Sequence, residues 1–478
     1  MGLSGTMLRR WLAALILALG SLLGPLAPVG PSAAQTVAPA PAPVEAPAPA
    51  VESALRTVEA QLGLLLGRYA TPLEAAALLG AGWAGALEAA GEVAGADASR
   101  AFALDRGAAW ADFGARFRAL AQDPGADPGA LARAANRAMA RSLGDCHTSL
   151  AASHEREVRS LDGAERYGGV GASVADPATF EPRPPGPLVV QVTEGGPADQ
   201  AGIRAGDAVL AVDGTDAAGL PPARLVELVR GEAGTPVRLR LDRPGAPAPV
   251  EVTVERALLE PRPVEGRLLS VPGAVPGVAP VAGAPGARVG YVALREFSRA
   301  AEAALPAKLE ELHAAGATHW VLDLRGNRGG NLQTFTRLGS LFLEEGTLAV
   351  TIDRNGAEGT ISADGTAYRP YLRPLAVLVD RQSASAAELL AADLQEYGAA
   401  RLFGSTTAGC FGTSRLFRLP DGSGLWLTVS ALQSGLARRD VHRVGLDPDE
   451  AVGRTRSELS SGVDGPLARA LAWVTESG

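Results

Sequence analysis

A cluster of serines follows an apolar segment in LVDRQSASAAELLAADL, residues 378–394. The apolar run predicts a buried strand, and the Ala- and Leu-rich run after it predicts a helix, so the serines occupy the turn between them. A serine in such a turn can act as a nucleophile, and the first amides of the helix can stabilise developing negative charge. It can equally be an ordinary N-cap residue. The catalytic interpretation requires a proton acceptor within hydrogen-bonding distance.

Few residues of this chain could accept that proton. Lys308 is the only lysine, and it lies within AAEAALPAKLEELHAAG, which has the apolar spacing of a helix. The chain has five histidines, and a neutral imidazole could accept the hydroxyl proton at physiological pH. An isolated histidine is more often a packed or surface residue, and we interpret His154, His313 and His319 in that way.

The N-terminal residues predict export. Arg9 and Arg10 precede an apolar run and then small residues, which is typical of a secretory signal peptide over residues 1–34. The run is shorter than the roughly 20 residues of a spanning helix. A Pro/Ala-rich linker follows at residues 35–51. We therefore expect a periplasmic, cell-envelope or extracellular protein without a permanent membrane span after signal removal.

The charge of the chain argues against one class of partner. The formal net charge is −8, and the sequence contains no block of basic residues. Binding to nucleic acid requires clustered Lys or Arg to neutralise phosphates. We therefore expect no nucleic-acid partner.

The apolar pattern changes along the chain and divides the rest of it into three regions. Residues 52–160 have apolar residues at helical spacing, as in VESALRTVEAQLGLLLGRYA, and predict a helical N-terminal region. Residues 165–258 contain short runs such as PLVVQVTE and predict a small β-rich module. Residues 259–478 alternate strands with helices, which predicts a mainly parallel sheet. The predicted fold class is α+β, with several domains.

Four parts of the sequence, taken together and in order, resemble the C-terminal processing (tail-specific) serine peptidases. This family is related to the tricorn protease core and to the interphotoreceptor retinoid-binding protein modules. The matching stretches are LGDCHTSL, YGGVGAS with GGPADQAGIRAGDAVLAVDG, VLDLRGNRGGNL, and SASAAELLAADLQEYGAARLFGSTTAG with GLDPD. The resemblance implies a PDZ-like domain over residues 165–258 and an α/β serine peptidase core of the ClpP/crotonase-like type over residues 259–478.

The resemblance also implies a peptide-binding loop in the PDZ-like domain. In such a loop, backbone N–H groups hold a terminal carboxylate while the sheet edge accepts the peptide as an extra strand. The matching residues are Gly168, Gly169, Val170 and Gly171. The alternative is an ordinary glycine turn without a ligand.

The family nucleophile matches Ser385, the second serine of SASAAE. In the tail-specific branch the base is a lysine in a glycine-flanked turn further along the chain, and this sequence has Cys410 at that place. The usual Ser-Lys dyad is therefore absent. The tricorn-like branch carries a histidine in the stretch that matches LGDCHTSL, which implies His147 as the base of a Ser-His pair.

Three acids could orient the imidazole, namely Asp145, Glu388 and Asp440. We favour Asp440, which lies nearest to the place where the tricorn-like pattern has a glutamate, while His442 occupies the aligned position. Asp145 is better interpreted as the cap of a turn or of a helix end.

The resemblance further implies an oxyanion hole made of backbone amides. One donor is the N–H of Ala386, and the other is a glycine amide in the turn after VLDLRG, where Gly329 and Gly330 lie. Such donors usually make a large contribution to catalysis. Glycines at a strand end are also typical of ordinary turns.

Each of the two cysteines, Cys146 and Cys410, is linked to one of the two alternative bases. Cys146 precedes His147, and Cys410 replaces the family's lysine, so the implied fold brings both cysteines toward one cleft. We hypothesise a disulfide between them, as export to an oxidising compartment permits. Two buried apolar cysteines are the alternative. A nucleophilic Cys410 is a third interpretation.

These observations favour an exported serine endopeptidase that cleaves unfolded or flexible protein tails by Ser-His acyl transfer. The expected partners are polypeptides, and no metal or organic cofactor is expected. The alternative is a catalytically inactive protein that binds peptides through its PDZ-like groove. A carrier of lipids or small ligands, as among the retinoid-binding relatives, is a further possibility.

Overall fold

The computed structural model describes residues 48–91, 101–160, 166–271 and 286–476. The predicted signal peptide and most of the predicted linker lie outside the described residues. In these four ranges, no helix combines the length and the apolar character needed to cross a membrane.

Helices dominate the N-terminal region. It contains α1 (Ala48–Arg68), α2 (Ala75–Ala90), α3 (Arg106–Leu120), α4 (Pro128–Ser142), the short strand β1 (Ser149–Ala151) and α5 (His154–Ser160). The helices bury large apolar side chains such as Trp83 and Phe113 in a common core. Helix α1 begins inside the segment predicted as an extended linker, because proline is tolerated in the first turn of a helix. Strand β1 interrupts the region that was predicted to be helical.

The middle module is a small antiparallel sheet with two helices. Its elements are β2 (Tyr167–Gly169), β3 (Ala172–Ala175), β4 (Leu188–Val192), α6 (Pro197–Gln200), β5 (Ala208–Val212), β6 (Thr215–Asp216), α7 (Pro222–Val229), β7 (Pro236–Asp242), β8 (Val250–Glu255) and β9 (Ala257–Leu259). The main sheet has the order β3-β4-β5-β7-β8, with β6 beside β5, and β2 pairs separately with β9. Alternate residues of β7 are buried, as expected for a strand with one face against the core.

The C-terminal core is built on a six-stranded sheet in the order β10-β11-β12-β15-β16-β19. Only β10 and β11 pair in antiparallel fashion. The elements are β10 (Val264–Val271), β11 (Ala287–Leu294), α8 (Arg299–Ala314), β12 (His319–Asp323), α9 (Leu332–Gly339), β13 (Thr347–Asp353), β14 (Glu358–Ser362), β15 (Leu375–Val379), α10 (Ala386–Glu396), β16 (Arg401–Gly404), β17 (Thr413–Arg418), β18 (Gly424–Ser434), β19 (Glu450–Ala451), α11 (Arg456–Ser461) and α12 (Gly465–Glu476).

Helices cover both faces of this parallel sheet, which explains why β15 is buried throughout. Val377 points into the core that contains α8 and α10. Its neighbour Leu378 points into the core on the other face, against α12. This alternation follows from the two-residue period of a strand. The α+β fold class predicted from the sequence is confirmed.

A second sheet joins the N-terminal region to the core. Strand β18 pairs with β17, with β13 and, through Trp426, with Ser149 of β1. Leu425 and Leu427 of β18 are buried in the same apolar cluster as helices α1 to α4. The segment between α4 and β1, which contains His147, is therefore held against the core by both strand pairing and apolar packing.

Candidate active site

Ser385 lies in the turn between β15 and α10, at the carboxyl ends of the parallel strands. Strands β12 and β15 are neighbours, with Asp323 opposite Leu378, so the turns that follow them lie side by side. A Cβ atom placed on Gly329 would lie 2.7 Å from the Cβ of Ser385 and 2.8 Å from the amide nitrogen of Ala386. The glycine turn after β12 therefore packs directly against the serine turn, and only glycine fits there.

The backbone of Ser385 is strained, whereas Ser383 has the features of a structural residue. Ser385 has φ 55° and ψ −120°, a conformation that residues with a side chain rarely adopt, and it is partly exposed. A sharp, strained strand-to-helix turn is how hydrolases of another fold expose a nucleophilic serine. Ser383 is fully buried, and its hydroxyl donates to the carbonyl of Leu324 at 2.8 Å. Of the two serines, Ser385 is the one available for chemistry.

Glu388 is a buried carboxylate that joins the serine turn to the turn containing Cys410. Its Oε2 atom accepts the amides of Ser385 at 2.9 Å and Cys410 at 2.8 Å. Its Oε1 atom accepts the amide of Gly409 at 2.7 Å and the hydroxyl of Thr407. Because both oxygens are engaged in this way, Glu388 holds the two turns together and does not orient His147.

The predicted oxyanion-hole residues differ in whether their amides are available. Ala386 is the first residue of α10, and the first amides of a helix have no acceptor within the helix. The amide of Gly329 donates to Oδ1 of Asn327 at 2.8 Å and is therefore committed to the turn itself. This leaves Ala386 and Gly330 as the pair of candidate donors.

Cys146 and Cys410 form a disulfide, with their Cα atoms 6.0 Å apart and a sequence separation of 264 residues. It connects the turn after α4 to the turn that Glu388 holds. In the chain-entropy model, closing so long a loop contributes about 5 kcal/mol to stability.

The imidazole of His147 packs against this disulfide. Its Nδ1 atom lies 3.5 Å from the sulfur of Cys146, and its Nδ1 and Nε2 atoms lie 3.8 and 3.7 Å from that of Cys410. Cys410 thus contacts His147 through its side chain and shares the carboxylate of Glu388 with Ser385 through its backbone. Within the described residues, the hydroxyl of Ser385 makes no hydrogen bond to His147.

The surroundings of His147 favour its neutral form. Burial of the imidazole lowers the pKa of His147 below its ordinary value. The negative charge of Asp145 opposes this shift, and the neighbouring His442 adds to it. A histidine that stays neutral near pH 7 is suited to accept a proton.

Asp440, the acid preferred from the sequence, forms no hydrogen bond with the imidazole of His147 among the described residues. Asp440 is exposed, and its Oδ1 atom accepts the backbone amide of His442 at 2.8 Å. The acid close to His147 is Asp145, whose Oδ1 accepts the amides of His147 at 2.9 Å and Thr148 at 2.6 Å. Asp145 therefore caps the turn that carries the histidine, because its side chain accepts backbone amides of that turn and so fixes the local direction of the chain.

Three of the four predicted peptide-binding residues line a large cavity. Gly169, Val170 and Gly171 border a cavity of about 1390 Å³ that extends from the PDZ-like module to the core. Gly168 instead packs against backbone, since a Cβ on it would lie 1.9 Å from the carbonyl oxygen of Gly231. Close backbone packing therefore explains why residue 168 is a glycine. A ligand in the cavity could contact the other three residues.

The cavity reaches the loop that precedes the candidate nucleophile. Gln382 lines it, and its side-chain amide donates to the carbonyl of Val174 in β3 at 3.3 Å. Gly326 and Arg328 of the glycine turn line it as well. A peptide bound along the module could therefore extend toward the serine turn.

Sequence reasoning missed how Glu388 and Tyr69 contribute to the site. The spacing S-A-A-E at residues 385–388 is a capping-box signature, and the structure has that arrangement. The signature could have predicted the contact of Glu388 with Ser385, but not those with the distant turn. Tyr69 donates its hydroxyl to Oδ2 of Asp145 at 2.7 Å, and no local pattern indicated this contact.

Comparison with known families agrees with this architecture. Residues 288–452 match the model for peptidase family S41, and residues 188–243 match the model for the PDZ domain. The first stretch lies in the C-terminal core, and the second lies in the middle module. The resemblance to the C-terminal processing peptidases is confirmed.

Individual relatives carry names that indicate the same class. The chain is 34% identical over 284 residues to the carboxyl-terminal-processing protease of Synechocystis sp., an alignment that covers 59% of this chain and 63% of the relative. It is 32% identical over 281 residues to the chloroplastic carboxyl-terminal-processing peptidase 2 of Arabidopsis thaliana, covering 59% and 52%. The structure of a photosystem II D1 C-terminal processing protease aligns with a TM-score of 0.57 at 25% identity, covering 88% of this chain and 97% of that one. The matched region spans less than two thirds of either curated relative.

Proposed function

We propose that this protein is an exported serine endopeptidase that cleaves flexible protein tails, with Ser385 as the nucleophile and His147 as the base. The observation that carries the proposal is the strained, partly exposed Ser385 at the start of α10, packed against the glycine turn. The names of the relatives support proteolytic processing at carboxyl termini. The predicted signal peptide supports export.

The proposed reaction is acyl transfer. His147 accepts the hydroxyl proton of Ser385 as the oxygen attacks the scissile carbonyl, and it returns the proton to the leaving amine. The amides of Ala386 and Gly330 stabilise the oxyanion. Water then hydrolyses the acyl-enzyme. The two side chains flank the turn of Cys410, so the imidazole must turn toward Ser385 when substrate binds, as catalytic contacts often tighten only in the complex.

The cavity at the PDZ domain supports the preference for tails. A terminal carboxylate would be held by amides of Gly169, Val170 and Gly171, while the peptide extends past Gln382 toward Ser385. Replacing the terminal carboxylate of a model peptide by an amide would then raise KM more than it lowers kcat. Equal cleavage of the peptide acid and the peptide amide would contradict the recognition of tails, but it would not contradict the proposed peptidase activity.

A second candidate is a catalytically inactive peptide-binding protein. The observation in its favour is the disulfide of Cys410, the residue that the resemblance aligns with the family's lysine. Within the described residues, a hydrogen bond between Ser385 and His147 is also missing. In that case the PDZ groove would bind peptides, and the core would serve only as scaffold.

Labelling with a fluorophosphonate probe, together with turnover of an unfolded protein substrate, distinguishes the two candidates. We expect the chain without reductant to be labelled at Ser385, with labelling lost in Ser385→Ala and weakened in His147→Ala. Ser460→Ala, at an exposed serine of α11, serves as the matched control and should label like the parent chain. A folded chain that neither labels nor hydrolyses, but binds peptides, would support the inactive binding protein.

A further inference from the structure

The side chains of Cys146, His147 and Cys410 form a cluster that the proposed reaction uses only in part. A sulfur from each cysteine and a ring nitrogen of His147 all lie within 4.8 Å of one another. Cys146 is exposed, whereas Cys410 is buried with 8% of its surface accessible. A small reductant can therefore approach the disulfide from the side of Cys146.

The spacing of the three groups matches that of ligands in a zinc site. Bonds of about 2.3 Å to sulfur and 2.0 Å to nitrogen place the ligand atoms of a tetrahedral site roughly 3.5 to 3.8 Å apart. The Nδ1 atom of His147 lies 3.5 Å from the sulfur of Cys146 and 3.8 Å from that of Cys410. Only the two sulfurs are too close, since they are bonded to each other, and reduction would remove that constraint.

We infer that reduction of the disulfide converts this cluster into a binding site for Zn²⁺, with Cys146, His147 and Cys410 as ligands. A dithiol supplies two electrons and two protons, becomes a disulfide itself, and leaves two thiols in the protein. Binding of Zn²⁺ then releases the two thiol protons, since thiolates are the metal ligands. Two thiolates and one imidazole leave a fourth position for water, a donor set typical of zinc.

The site has a consequence that rests on the proposed function. A metal-bound ring nitrogen of His147 cannot accept the proton of Ser385. The reduced, zinc-loaded chain would therefore be inactive, whereas the oxidised chain, which lacks thiolate ligands, would be insensitive to zinc at the same concentration. The disulfide would then protect the base from metal.

Cobalt spectroscopy of the full chain tests the metal site without reference to activity. The disulfide is reduced under anaerobic conditions with a phosphine, which takes oxygen from water and becomes the phosphine oxide, and the reagent is then removed. Titration with Co²⁺ should give thiolate-to-cobalt charge transfer and tetrahedral d–d bands, which Zn²⁺ abolishes by competition. The oxidised chain should show neither set of bands.

Variants assign the ligands and separate this inference from the proposed function. Cys410→Ser and Cys146→Ser should each lose most of the charge-transfer intensity, and His147→Ala should lose the tetrahedral d–d pattern. Ser385→Ala and His319→Gln should bind cobalt like the reduced parent chain, even though the former is catalytically dead. Circular dichroism verifies that each reduced chain is folded. A folded, reduced parent chain that binds no Co²⁺, or binding that survives in Cys410→Ser, would overturn the inference.

Discussion

Glu388 accepts the backbone amide of Cys410 at 2.8 Å through the same carboxylate oxygen that accepts the amide of Ser385 at 2.9 Å. One fully buried side chain thus fixes the turn of the candidate nucleophile and the turn of the disulfide relative to each other. The position of His147, which packs against Cys410, depends on the same contact. The geometry of the candidate site therefore depends on a residue to which we assign no chemical role.

Replacing Glu388 by glutamine should lower both stability and activity. The side-chain NH₂ would face amide donors, so buried N–H groups would lose their acceptor at a cost of at least about 2 kcal/mol in the free energy of unfolding. Denaturant unfolding measures this loss. Glu345→Gln, at an exposed glutamate, is the matched control and should stay within about 0.5 kcal/mol. Equal stability of the two variants would show that Glu388 does not hold the turns.

The pH dependence of kcat/KM should reveal His147. Because burial keeps the pKa of this histidine below its ordinary value, the neutral base persists to more acidic pH. The acid limb of the profile should therefore lie below pH ~6.5. The buried neutral imidazole also contributes stability that is complete above the unfolded pKa and is lost as the pH falls below it.

The neighbouring histidine provides the test of this assignment. His442 lowers the pKa of His147, so His442→Asn should move the acid limb toward neutral pH. His319→Gln is the control and should leave the limb in place, since His319 begins β12 at the opposite end of the sheet. An acid limb that stays unchanged in His442→Asn would argue that another group titrates.

Two of the three acids considered for orienting the imidazole, Asp145 and Asp440, should behave differently when changed to asparagine. Asp145→Asn replaces a carboxylate that accepts the amides of His147 and Thr148 and the hydroxyl of Tyr69. The loosened turn should lower kcat/KM by roughly tenfold to a hundredfold. Asp440→Asn should change it by less than about twofold, since asparagine also caps a turn. The opposite order in steady-state kinetics would restore Asp440 as the orienting acid.

Among the charged residues, Arg325 should cause the largest loss in the free energy of unfolding when it is replaced. Its buried guanidinium bonds Asp323 at 2.8 Å and Asp464 at 2.7 Å, which ties α12 to the end of β12. Arg325→Met leaves two carboxylates without their partner and should cost about 3 to 5 kcal/mol in urea unfolding. Arg438→Met, which breaks the exposed pair with Glu358, is the control and should change the free energy of unfolding far less, because water screens an exposed ion pair.

Acid unfolding gives a second measurement on the same variant. Burial alone would raise the pKa of Asp323, but Arg325 outweighs it and holds the pKa well below its ordinary range. This contribution is present above the unfolded pKa of about 3.9 and is lost as the pH falls. In Arg325→Met the acid transition should shift to higher pH. An unshifted transition would contradict the role of the ion pair.

The sequence was sufficient for the fold class and for the Ser385 turn because their signals are local. Strand, turn and helix follow one another within LVDRQSASAAELLAADL, and the PDZ match is continuous along the chain. The contacts of Asp145 could not be predicted, because this acid is held by partners distant in sequence, including Tyr69 and Thr428. Strand β1, with three residues, was too short to give a periodic pattern.

Strand β1 also determines where the protein can be divided. The stretch that matches the S41 model begins at residue 288. Cys146 and His147 precede the PDZ-like module in the sequence, and the adjacent strand β1 holds their segment against the core by pairing with β18. A fragment trimmed to the matched stretch would carry the hydroxyl without the imidazole and expose an unpaired edge of β18. With His147 as the proposed base, the catalytic unit is composite, and deletion of the N-terminal helices would remove the base as well as folding energy.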